Sequence, residues 1–100
     1  MKKLAIVCKE EIQDDLWAVL TESGVKRYTV IGNVTRRGID DTVPPAPVTE
    51  EEYLLLNVVL MDEQADKTIQ ALRTFHDQML AIHGHKIPLE VNVQACEVIL

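Results

Sequence analysis

The sequence is poor in cysteine, in chain breakers, in cations and in long apolar runs, and each scarcity removes a class of protein. Two cysteines, Cys8 and Cys96, are too few for a disulfide framework and lack C-x-x-C spacing, so they read as two buried, reduced thiols. Four glycines and four prolines, against 47% hydrophobic and 26% charged residues, exclude a disordered or fibrous chain and leave an ordinary globular composition. Ten Lys and Arg against sixteen Asp and Glu give a net charge of −6, which excludes general affinity for nucleic-acid backbones or anionic lipid surfaces. Any anion site must therefore be local. No apolar run approaches the roughly 18–20 residues that cross a bilayer. Leu4 to Val7, followed closely by Lys9-Glu10-Glu11, is too short for the apolar region of a secretory signal. Together these points predict a cytoplasmic protein. Repeats and low-complexity tracts are missing too, as are the P-loop, G-x-S-x-G and H-E-x-x-H motifs, so no catalytic set is visible and no enzyme is expected.

What is present organises into one domain, because 100 residues leave no room for a second core. A chain this short buries only about two-thirds of its unfolded surface, so oligomerisation would stabilise it substantially. Lys3 to Cys8 is an apolar run of strand length. Ile12, Leu16, Val19 and Leu20, with Trp17 beside them, form a helix stripe running to about Ser23, and Gly24 ends it. Tyr28 to Val34 is rich in aromatic and β-branched residues and predicts a second strand. From Thr35 to Glu52 no periodicity is usable, and Pro44, Pro45 and Pro47 remove backbone donors, so residues 35–52 are expected to form a loop. That exceeds the roughly 12–15 residues that compact domains tolerate without a function. Tyr53 to Met61 is the most apolar strand. Asp62 offers an N-cap to a second helix carrying Ala65, Ile69, Leu72, Phe75, Met79, Leu80 and His83 on its apolar face, with Gly84 as the stop. Leu89 to Val93 forms a last strand beyond Pro88, with Cys96 to Leu100 as a possible extension.

The order βαββαβ predicts an α+β, ferredoxin-like fold: a four-stranded antiparallel sheet with two helices on one face and the first and third strands central. The second sheet face should then alternate with polar residues if it were wet. Tyr53 to Met61 instead places Leu54, Leu56, Val58 and Leu60 on one face and Tyr53, Leu55, Asn57, Val59 and Met61 on the other, both largely apolar. A partner subunit is expected to cover the second.

Met1-Lys2-Lys3-Leu4-Ala5-Ile6-Val7, the acidic helix after it, and above all Gly24-Val25-Lys26-Arg27-Tyr28-Thr29-Val30 resemble the first half of the PII family of nitrogen-regulatory signalling proteins. The resemblance implies a homotrimer. It also implies adenine nucleotides (ATP, ADP or AMP) or bicarbonate as non-obligatory effectors in clefts between subunits, and a mobile loop that grips a target protein such as a membrane transporter or an enzyme. Carried onto this chain, Thr29 matches the threonine beside the adenine. Thr35-Arg36-Arg37-Gly38 corresponds loosely to the family's glycine-rich, arginine-containing loop entrance, with one glycine replaced. Ile82-His83-Gly84-His85-Lys86-Ile87 corresponds to its second phosphate loop, retaining Gly84 and Lys86. The family's closing arginines have no counterpart in Cys96-Glu97-Val98-Ile99-Leu100, and the expected loop has no tyrosine to accept uridylylation.

Read as chemistry, Arg36 and Arg37 offer guanidinium forks to an anion, and Lys86 beside the backbone at Gly84 offers a point charge. The predicted ligand-binding set is Thr29, Arg36, Arg37, Gly38, Gly84 and Lys86. Glu50-Glu51-Glu52 reads as a solvated like-charge segment. His76, His83 and His85 are the only metal-like group: His76 and His83 lie about 10 Å apart along a helix, too far for one ion. His83 and His85 could chelate if the turn curls. No metal is expected on the main reading; the alternative is a CutA-like trimer that binds divalent metal through His83 and His85.

Overall fold

A computed structural model describes residues 1–39 and 48–100, with side chains described at 1–36 and 52–100. The elements are β1 (Lys2–Cys8), a 3-10 turn (Glu10–Ile12), α1 (Gln13–Glu22), β2 (Thr29–Ile39), β3 (Val48–Leu60), α2 (Asp62–His83) and β4 (Leu89–Ala95). The strands form one antiparallel sheet in the order β2-β3-β1-β4, with both helices on one face. This is the expected ferredoxin-like arrangement, with the first and third strands in the middle.

Alternation along each strand decides what the helices cover. Leu4, Ile6 and Cys8 of β1 and Leu56 and Val58 of β3 are fully buried beneath Leu16 and Leu20 of α1 and Ala65, Leu72 and Phe75 of α2. Removing these side chains from water on both sides of one seam is the main source of stability here, at about 0.8 kcal/mol per buried CH₂. Burial also pushes the Cys8 thiol up, away from its reactive thiolate form. Both cysteines are free, but Cys96 is half-exposed rather than buried, because it lies past the end of β4 where no helix covers it.

The second face carries Ala5 and Val7 from β1, Tyr53, Leu55, Asn57 and Val59 from β3, and Thr29 and Ile31 from β2. Val59 and Ile31 keep 43% and 44% of their surface open, too much for a face that the chain covers by itself.

Several boundaries differ from expectation. The segment 35–52 is not a loop throughout: β2 continues to Ile39 and β3 begins at Val48, with Thr35 opposite Glu52 and Gly38 opposite Thr49. Proline prevents pairing only where it stands, and all three prolines of this stretch fall within 40–47, outside the described residues. Tyr28 precedes β2 and packs its ring 6.2 Å from that of Trp17 instead. Met61, extended at φ −61° and ψ 152°, takes the N-cap position of α2, and Asp62 is the first helical residue, where its charge still favours the helix N-terminus. Leu80 and His83 lie on the exposed side of α2. Thr68 takes a core place instead, its hydroxyl donating to the Gln64 carbonyl at 2.9 Å. Cys96 to Leu100 extends no strand, although the Cys96 amide still donates to the Met1 carbonyl at 3.1 Å.

Two irregularities position the site. Gly84 closes α2 in the left-handed region at φ 74°, its amide donating to the Leu80 carbonyl at 2.8 Å, and a side chain there would meet open space, so the backbone conformation alone asks for glycine. In β2 the register slips between Ile31 and Val34: Ile31 faces Leu55 and Val34 faces Tyr53, three steps against two. Asn33 absorbs the extra residue at φ 57°, a conformation that asparagine tolerates better than most residues.

Candidate functional site

The β-bulge decides which arginine reaches the site. Before it, odd-numbered residues of β2 share the open sheet face with Leu55; after it, the even-numbered Val34 and Arg36 share that face with Tyr53. Arg36 therefore lies over the Tyr53 ring, its guanidinium carbon 5.0 Å from the ring centre, and Lys9 brings its ammonium to 5.6 Å from the same ring. Both distances suit attraction of a cation to the ring face.

Glu90 completes the cluster. It stands in β4 opposite Val7, and its carboxylate accepts a hydrogen bond and ion pair from Arg36 Nη2. Asn92 Nδ2, on the same face two residues on, donates to the other Glu90 oxygen at 3.4 Å. The Arg36 hydrogen bond, then that of Asn92, holds the Glu90 carboxyl below its ordinary value. Val7, Ile87 and Pro88 line the floor of the cavity of about 180 Å³ around which Arg36, Tyr53 and Glu90 stand.

The expected site residues are thus only partly assembled within one chain. Ile87 and Pro88, directly after the Gly84–Lys86 turn, reach the Arg36 cavity, while Lys86 itself is exposed just before them. Thr29 lies at the far end of β2, exposed and opposite Asn57, about 20 Å from Arg36 at the usual rise per strand residue. Gly38 is paired in the arm, and the Arg37 side chain lies outside those described. Lys9, Tyr53 and Glu90 were not in the predicted set. The alternation Leu89, Val91, Val93 does put Glu90 on the opposite face from those residues, but only the strand order brings that face to Arg36.

The His83 and His85 rings lie 5.9 Å apart, and His85 Nδ1 is 3.1 Å from the Lys86 carbonyl. Among the described residues no group of three or more His, Cys, Asp or Glu side chains is placed to hold a metal ion. A separate groove of about 360 Å³ runs between α2 and β4, floored by Ile69, Leu72 and Val91 and rimmed by Arg73 and His76; none of the expected ligand residues lines it. No described helix is long and apolar enough to cross a membrane.

A family model for nitrogen regulatory protein P-II matches residues 1–94. The chain belongs to the P-II family. Among solved P-II structures, B. subtilis GlnK in its ATP complex superposes with a TM-score of 0.69 at 18% identity, covering 93% of this chain and 78% of that one. The nitrogen regulatory PII-like protein CPII of Thiomonas intermedia K12, bound to ADP, AMP and bicarbonate, gives a TM-score of 0.61 at 17% identity, covering 99% and 94%. CPII bound to ADP, AMP and acetate gives 0.58 at 18% identity, covering 93% and 84%. At such identities the likeness to these structures is one of fold. No individually curated protein matches the chain.

Proposed function

We propose that the chain is a PII-type regulatory protein of the cytoplasm. As a homotrimer it binds a small anionic metabolite, an adenine nucleotide or bicarbonate, in clefts between subunits, and it contacts a target protein through the tip of the β2–β3 arm. The observation that carries this reading is the placement of Arg36 over Tyr53, at a cavity whose other wall follows directly from the Gly84–Lys86 turn. A guanidinium fixed over a ring is pre-organised to receive an anion. The ligands of the P-II relatives, ATP in GlnK and ADP, AMP and bicarbonate in CPII, support the same ligand class. The open apolar sheet face supports a trimer. The target is to be sought among transporters and enzymes, and the role is one of regulation rather than catalysis.

Calorimetry with ATP, ADP, AMP, bicarbonate and divalent metals tests it. Replacing Arg36 or Lys86 with Ala should weaken anion binding by about 1.5–3 kcal/mol, tenfold or more, for loss of a charge-assisted bond, and Arg37→Ala should weaken it less. His83→Ala and His85→Ala should leave anion binding nearly unchanged. If binding is instead to metal, depends on the two histidines and fades below pH ~6, the CutA-like reading replaces this one.

A further inference from the structure

Arg36 already holds an anion, and it belongs to the chain itself. The Glu90 carboxylate accepts from the guanidinium beside the Tyr53 ring, at the rim of the cavity floored by Val7, Ile87 and Pro88. Within the single chain neither partner is locked in place, since the side chains remain 45% and 47% open to solvent. An exposed pair of this kind contributes little net stability, so exchange of one carboxylate for another is cheap. The cavity of about 180 Å³ beside the pair has room for an anion of a few heavy atoms. The fork of an arginine also matches a flat acceptor with two oxygens.

We propose that the Arg36 subsite takes a small planar oxyanion, of carboxylate or bicarbonate shape, and that Glu90 is its built-in competitor. Binding moves Arg36 from Glu90 to the ligand. Because Arg36 belongs to the β2–β3 arm and Glu90 to β4 at the other edge of the sheet, the exchange also unties the arm from β4. This inference rests on the anion-binding reading above and adds to it the shape of the ligand and the residue that opposes it.

Calorimetry with sodium acetate and with bicarbonate, at fixed pH 8 and ionic strength, tests it on the wild type, Glu90→Gln, Glu90→Ala, Arg36→Ala and the double variant Arg36→Ala/Glu90→Gln. Circular dichroism confirms that each folds. Removing the competitor should tighten binding of both probes about threefold or more, the scale of an exposed ion pair. In the Arg36→Ala background the same change at Glu90 should have no effect. If the wild type binds acetate or bicarbonate and neither Glu90 variant binds it more tightly, the competitor is overturned while the anion site stands. If ADP binds but neither planar anion binds any variant, this subsite is again overturned and the nucleotide reading survives. If no anion binds at all, both readings fall.

Discussion

Glu90 and Arg36 meet at the surface, where salt and water screen them, so their pairing is read better from titration than from stability. The Glu90 carboxyl is held below its ordinary value of 4.5 by the hydrogen bond from Arg36, then by that from Asn92. The sign follows from linkage. A carboxyl with a lowered folded-state value binds fewer protons folded than unfolded, so its contribution to stability is present above pH 4.5 and is lost as pH falls through the lower, folded-state value. A carbon-detected NMR titration should place the Glu90 midpoint below the ordinary one. Arg36→Ala should move it back up, short of full recovery because Asn92 remains. A Glu90 midpoint that is ordinary in the wild type and unmoved by the substitution would show that the pair does not form in solution.

The bulge in β2 shows at the level of a whole element why part of the site was legible in the sequence and part was not. Apolar runs and 3.6-residue spacing sufficed for β1, α1, β3 and α2, since those patterns are what the core selects. Arg36 and Arg37 were equivalent on paper, however, because a strand's faces alternate and the phase of that alternation depends on one residue, Asn33. The arm was hidden for a different reason. Three prolines between two polar stretches suggested a loop over all of 35–52, and only the register shows that basic positions 36 and 37 stand opposite acidic positions 51 and 50. Glu90 needed the strand order, which no local pattern contains. A prediction belongs to this scale. Asn33→Gly should be tolerated, whereas Asn33→Val should destabilise the fold by about 1–2 kcal/mol in chemical denaturation, since a β-branched residue resists a positive φ. Deleting Asn33 should remove the bulge yet keep Val34 opposite Tyr53 and Arg36 on the Tyr53 face, so the low Glu90 midpoint should survive the deletion and still rise on Arg36→Ala.

The two faces of the sheet give the whole molecule its expected assembly. Helices cover one; the other leaves Ile31 and Val59 more than 40% open beside the half-buried Leu55 and Tyr53. Light scattering at micromolar concentration should therefore return about three times the 11.3 kDa chain mass. Ile31→Glu should shift the mass toward that of one chain, because a charge on this face would lose its water without gaining a partner. A monomeric wild type would sink the trimer.

The sheet order has a consequence for how the protein is made. β1 leaves the ribosome before the other strands, yet both of its neighbours come later: β3 ends at Leu60 and β4 at Ala95. Until then its buried residues Leu4, Ile6 and Cys8 have no strands to lie between. The β2–β3 hairpin, with its neighbours in sequence, can close during synthesis, while the central strand waits for β4. A nascent chain stalled before β4 should thus be sensitive to protease at its N-terminal end and should gain protection only when Leu89–Ala95 has emerged.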